Sequence, residues 1–145
     1  LGRRSASPRG YVRVREEASM PISGGENEYS KYAFARWLDM GCADIWQPDV
    51  GRCAGLTEVK KIVHMAEANN IPVVPHGGWT TNFHVVMSSM ACPMAEYFPP
   101  HDPDPDNQIL IGEPLAVEGH IELSEKPGFG LELNPDAVKR FRWEG

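Results

Sequence analysis

No run in this 145-residue sequence approaches the ~20 consecutive apolar residues that a bilayer span needs, and no charged-then-apolar leader opens it. A membrane or secreted protein is therefore not expected. Cysteine is scarce as well: Cys42, Cys53 and Cys92 are odd in number and none forms a CxxC pair. That excludes a zinc knuckle or a redox dithiol and points to reduced, structural thiols, as in the cytoplasm. Basic residues are outnumbered, 14 Lys plus Arg against 20 Asp plus Glu. An acidic surface of this kind argues against a nucleic-acid partner. Nucleotide loops are missing too, because the glycine pairs at 24–25 and 77–78 lie in neither a GxxxxGK nor a GxGxxG context. They read as tight turns at strand ends.

What remains, 41% hydrophobic and 23% charged residues with a net charge of −6, describes a folded unit rather than a disordered tail. Charge is unevenly spread. Arg3, Arg4, Arg9, Arg13 and Arg15 stand without an acid in the first 15 residues, leaving −11 on the remainder. Residues 1–10, LGRRSASPRG, are expected to be a disordered or foreign edge, a truncated N-terminus or a basic anchor remnant.

From residue 20 a pattern recurs, in which a short apolar run ends in a polar residue and is followed by helical spacing. MPISGGE ends in Glu26, ADIWQPD in Asp49, IPVVPHG carries His76 and PMAEYF carries Glu96. Phe34, Trp37 and Leu38 line one helix face, and Leu56, Val59, Val63 and Ala66 line another over three turns. A shorter helix is expected around 82–90. Apolar runs alternating with helices are the sequence form of βα units on a parallel sheet. The run-ends are 23, 27 and 20 residues apart, close to the ~30 residues of one unit in a (β/α)8 barrel. The fold class is thus α/β, and four strands make half of such a barrel, over residues 11–100. After Pro99 the character changes. HDPDPDN is a Pro/Asp boundary loop, and the segments beyond it alternate like extended or hairpin structure around Gly119. Residues 101–145 are expected to form a carboxy-terminal extension.

Strand ends of a parallel barrel face one mouth, so Glu26, Asp49, His76 and Glu96 are expected to share a site. Each alone could be an ordinary loop residue, but four in succession suggest chemistry, since three carboxylates and an imidazole need a cation, a proton or mutual hydrogen bonds to coexist. Trp79, Thr80 and Thr81 would lie at the same mouth, as candidates for substrate hydroxyls or as a helix start. Arg52 could meet a carboxylate or face solvent, and Asn27 and Gln47 flank the acids. No role is expected for His64, His84, His101 or His120, and Asp102, Asp104 and Asp106 read as a solvated turn, lacking the Gly and Glu of a calcium loop.

The runs GGENEYS (24–30), DIWQPDVGRCAGL (44–56), IPVVPHGG (71–78) and PMAEYF (93–98) resemble, in that order, the last half of the mandelate racemase branch of the enolase superfamily. The tail GEPLAVEGHIELSEKPGFGLELN (112–134) is similar to that of the branch's sugar-acid, rhamnonate-type dehydratases. The resemblance implies that Glu26 is one carboxylate ligand of an essential Mg2+. It further implies that His76, oriented by Asp49, abstracts the proton alpha to a substrate carboxylate, and that Glu96 hydrogen-bonds that carboxylate and steadies the enediolate. Trp79 would contact substrate. The implied partner is a small-molecule sugar acid, and the intact protein would be a homo-oligomer. Hard Mg2+ prefers oxygen ligands, an imidazole held by a carboxylate is fixed in one tautomer, and Glu96 could donate only when protonated. A Lys or His base with magnesium is the established pairing in this superfamily. The pattern also requires two further metal carboxylates, a base on an earlier strand and a capping domain, none of which is present. This chain is therefore expected to be an inactive carboxy-terminal fragment of a dehydratase. A racemase or epimerase of the same superfamily, and a non-catalytic assembly module using the open barrel edge, are the alternatives.

Overall fold

A computed structural model describes residues 7–99 and 109–143. Its first helix, α1 (Pro8–Glu17), starts three residues inside the stretch expected to be an unstructured edge. Pro8 sits in the first helical turn, where its missing N–H costs nothing. The helix is then fastened by side chains. Tyr11 packs on Trp37 with ring centroids 4.5 Å apart, and Arg15 donates to Asp44 at 2.7 Å and to the Gly41 carbonyl at 3.1 Å. The expected edge is corrected to that extent.

The βα alternation is present. β1 (Ser23–Gly24) pairs in parallel with β2 (Ile45–Trp46), and Trp46 bridges in parallel to Val73 in the third run. α2 (Ser30–Met40) connects the first two runs and α3 (Leu56–Ala68) the next two. α2 buries Phe34 and Trp37, and α3 buries Val59, Ile62, Val63 and Ala66, as the 3.6-residue spacing dictates. Gly41, left-handed at φ +64°, ends α2. These side chains meet Trp46 and Val73 from the sheet in one apolar core that also takes Cys42, Cys53 and Cys92. All three thiols are free and buried. The helix after His76, α4, runs Thr80–Met87, two residues earlier than expected.

The fourth run differs from expectation: residues 93–98 form no strand. In a parallel strand successive N–H groups point to opposite neighbours. Val74 and His76 give theirs to the Trp46 and Pro48 carbonyls, so residues 73, 75 and 77 face the fourth run. Val73 reaches the Ala91 carbonyl, residue 75 is a proline with no N–H, and Gly77 bonds a side chain, Glu96. The ladder is thus interrupted by Pro75 and replaced at Gly77 by a carboxylate.

Beyond residue 109 the chain is antiparallel. β3 (Leu110–Ile111) pairs with β4 (Glu132–Leu133), and Val117 and His120 bridge across a two-residue turn whose Glu118 and Gly119 both have positive φ. That is the turn geometry favoured by a tight hairpin. α5 (Pro135–Arg140) follows, with the Asn134 side chain accepting from the Asp136 and Ala137 amides. The 101–108 boundary loop, with His101 and the three aspartates, lies outside the described residues. No helix among the described residues is long and apolar enough to cross a membrane.

Candidate active site at the strand ends

The sheet sets the site directly. β1 and β2 run side by side, and the backbone bond from the Gln47 amide to the Gly24 carbonyl carries the pairing up to the residues that precede Glu26 and Asp49. The His76 amide donates to the Pro48 carbonyl at 3.0 Å, which puts the imidazole beside Asp49.

Asp49 is 9% exposed, and one of its oxygens, Oδ1, accepts from the Gly51 and Arg52 amides at 2.7 and 3.2 Å. The other, Oδ2, lies 3.0 Å from His76 Nδ1. His76 Nε2 lies 2.9 Å from Glu26 Oε2. One imidazole therefore bridges two carboxylates. With both carboxylates ionised, the two contacts are satisfied together only by a ring carrying both its protons. A neutral ring with its proton on Nδ1 keeps the Asp49 bond and leaves a lone pair on Nε2.

Glu96 joins through the backbone. Its Oε2 accepts from the Gly77 amide at 2.6 Å, one residue past His76. Its segment is pressed onto the turn: Tyr97 packs on Phe83 with centroids 6.4 Å apart, and a Cβ at Gly78 would lie 2.6 Å from the Phe98 nitrogen. Only glycine fits there. Gly77, at φ +92°, needs glycine for its conformation. The Trp79 ring stands against Gly77 and remains 47% exposed. Thr80, by contrast, is buried and its hydroxyl donates to Glu113 of the extension, so it is not offered to a ligand.

The flanking residues left open by sequence now have partners. Arg52 Nη1 donates to Asn27 Oδ1 at 3.1 Å, Asn27 Nδ2 donates to Glu26 Oε1 at 2.9 Å, and Arg52 Nε stands 3.9 Å from Asp49 Oδ2. A cation thus touches one site acid directly and another through an amide. Sequence reasoning passed over Asn82, which is 1% exposed and donates from Nδ2 to the carbonyls of His76 and Gly77 at 2.6 and 2.7 Å. Its only sequence signal is a polar residue on a helix that also buries Thr80, Phe83 and Val85. Cys53, whose amide bonds the Asp49 carbonyl, is no nucleophile: burial pushes its thiol up to about 11.

Glu26 is a fitting oxygen donor for a hard cation, yet one carboxylate does not make a magnesium site. Among the described residues no group of three or more His, Cys, Asp or Glu side chains is arranged to hold a metal ion. The residues present do not by themselves fit the cofactor.

A model of the family described as enolase C-terminal domain-like matches residues 4–137. The chain is 38% identical over 136 residues to an L-rhamnonate dehydratase from Saccharopolyspora erythraea, covering 90% of this chain and 35% of that protein. A 3,6-anhydro-D-galactonate cycloisomerase structure from Zobellia galactanivorans superposes with a TM-score of 0.82 at 33% identity, over 93% of this chain and 40% of that one. A magnesium-complexed rhamnonate dehydratase from Gibberella zeae gives 0.78 at 32%, over 92% and 35%. The chain spans about a third of the length of the curated relative it matches.

Proposed function

The chain belongs to the enolase C-terminal domain-like family, and from that premise we propose that it carries the acid–base side of a sugar-acid dehydratase site. The observation that carries this reading is the imidazole of His76 held between Asp49 and Glu26. The rhamnonate dehydratase relatives supply the substrate class, a 2,3-dihydroxy acid.

In this reading His76 Nδ1–H donates to Asp49, and Nε2 takes the proton alpha to the substrate carboxylate. The ring then carries two protons, the state in which both carboxylate contacts are satisfied. Glu96, fixed by the Gly77 amide, faces the substrate carboxylate, where enediolate charge develops. His76 returns its proton to the departing beta-hydroxyl. Water leaves, and the resulting enol tautomerises to a 2-keto-3-deoxy acid. Trp79, exposed beside Gly77, is proposed to cover the substrate.

Magnesium is the cofactor proposed for the whole site, with Glu26 as one ligand and the others on barrel strands outside these 145 residues. When bound there it would supply positive charge for the enediolate that forms as the alpha proton leaves, which these residues do not provide alone. The isolated chain is accordingly proposed to be inactive. Cytoplasmic residence is proposed from the three buried free thiols, and a homo-oligomer is proposed for the intact enzyme.

The test is an assay for 2-keto-3-deoxy acid over a panel of aldonates. It compares this chain alone with a chimera joining it to the upstream part of the Saccharopolyspora erythraea relative. The chain alone is expected to be silent and the chimera active, with activity lost on His76→Ala or Asp49→Asn. Turnover by the chain alone would overturn the inactive-fragment reading. Alpha-proton exchange without elimination would point to a racemase or epimerase, and neither reaction to a non-catalytic module.

A further inference from the structure

We propose that Asn82 is a positioning residue that sets the aim of His76 and Glu96 by clamping the turn between them; its catalytic meaning rests on the dehydratase reading above. The turn is unusual in its needs. Gly77 is left-handed, its amide is committed to Glu96, and the carbonyls of two successive peptide units, those of His76 and Gly77, need donors. Asn82 meets both with one group, since its Nδ2 carries two hydrogens and gives one to each carbonyl. The amide is 1% exposed, so no water competes for those bonds.

The remaining atom fits the same role. Asn82 Oδ1 is buried and has no hydrogen-bond partner among the described residues. Leaving a buried acceptor unmet is costly, so what the side chain contributes lies in its donors. Asn82 is itself held by α4, whose first turn is bound on its other side by the Thr80 hydroxyl donating to Glu113. A rigid helix thus fixes the backbone of the base, His76, and the amide that fixes the acid, Glu96. Asn82 bonds the backbone of the turn rather than the imidazole or the Glu96 carboxylate, which is why its effect must pass through the turn.

The test is solution NMR on the 145-residue chain, without substrate. In the unaltered protein both Asn82 side-chain protons are expected to exchange slowly, and its amide nitrogen to show through-hydrogen-bond coupling to the carbonyl carbons of His76 and Gly77. In Asn82→Leu, of similar size but without donors, the Gly77 amide proton is expected to move upfield and to exchange about tenfold faster. The methyl signals of Val59, Ile62 and Val63 should stay in place. A merely structural Asn82 would lower the melting temperature and leave the Gly77 signal of the folded protein unmoved, and that result overturns the proposal. Absence of both couplings in the unaltered chain overturns it as well, even where Asn82→Leu fails to fold. None of these readings needs turnover, so a failure of the dehydratase assay is separate from a failure of the clamp.

Discussion

Trp46 and Trp143 are the same residue type in two different kinds of structure. Trp46, on β2, is 0% exposed and packs on Phe34 with centroids 5.1 Å apart. Trp143, past α5, is 86% exposed. The contrast runs through the regions around them. The βα part buries Phe34, Trp37, Val59, Ile62, Val63 and Val73 completely or nearly so, whereas the only buried apolar side chain described beyond residue 109 is Ala137. Ile111, Leu115, Val117 and Leu133 of the extension are more than half exposed. An apolar cavity of about 350 Å³ separates the two regions, lined by Phe83, Met87, Tyr97, Ile121 and Leu123. One region is held by its own core. The other rests on a few fastenings to α4, the Thr80–Glu113 bond and the edge of His84 against Phe129 among them. The site residues sit on the first kind of structure, where strand ends and helix starts can be held to fractions of an ångström.

The sharpest way to break this comparison is Trp46→Ala. Removing a fully buried indole is expected to cost about 4 kcal/mol, much of the stability of a domain this size. It would be read as a lowered urea midpoint. A loss below about 1 kcal/mol would mean that the core is not closed around Trp46. Next in size is Asp49→Ala. That substitution strips the Gly51 amide of its acceptor, leaves the Arg52 amide only the Asp49 carbonyl at 3.1 Å, and frees His76. It is expected to cost about 2 kcal/mol even with no substrate present, and chemical denaturation of the purified variant checks it. An unchanged midpoint would show that water takes over the Gly51 amide and that Asp49 serves the imidazole alone.

How much of this was legible in the sequence follows the same division. α2 and α3 were legible because their apolar residues recur at the helical period and are buried for that reason. The meeting of Glu26, Asp49 and His76 was legible because parallel strands deliver their ends to one side. α1 was not: its segment is rich in arginine, none of its residues is fully buried, and its attachment through Tyr11 and Arg15 leaves no periodic mark. The fourth run looked like a strand by its apolar residues, and the missing N–H of Pro75 on its neighbour decided otherwise. Asn82 was illegible because a buried asparagine and a surface asparagine are written alike. α5 carried a readable start in Asn134 and Pro135 that helical periodicity over six residues is too short to support.

A pH scan sharpens the βα side of the comparison at smaller cost. Glu58, in the first turn of α3, has its carboxyl lowered from the ordinary 4.5 to about 2, first by the hydrogen bond from Lys61, then by the Lys31 amide and ammonium. Because the folded value is depressed, the stabilisation is fully present above about pH 4.5 and is lost as pH falls toward about 2. Glu58→Gln is expected to flatten the stability profile in that window and to leave it unchanged near neutrality apart from a constant offset. Melting temperatures at intervals across the window read it. A variant that keeps the full slope would assign the acid sensitivity to other carboxylates.

The smallest effect is expected where the difference in burial predicts almost none. Trp143→Ala removes the largest side chain in the sequence from a position that is 86% exposed, so little apolar surface returns to water and no cavity is left behind. The change in unfolding free energy should stay within about 0.5 kcal/mol. The fluorescence lost in Trp143→Ala adds an internal control, since that component should emit as a solvated indole and be quenched by iodide while the buried Trp46 is protected. A loss near that of Trp46→Ala, or a Trp143 shielded from iodide, would mean that the extension folds over its own apolar residues. The two halves of the molecule would then share one core, and the site would be braced from the extension's side as well.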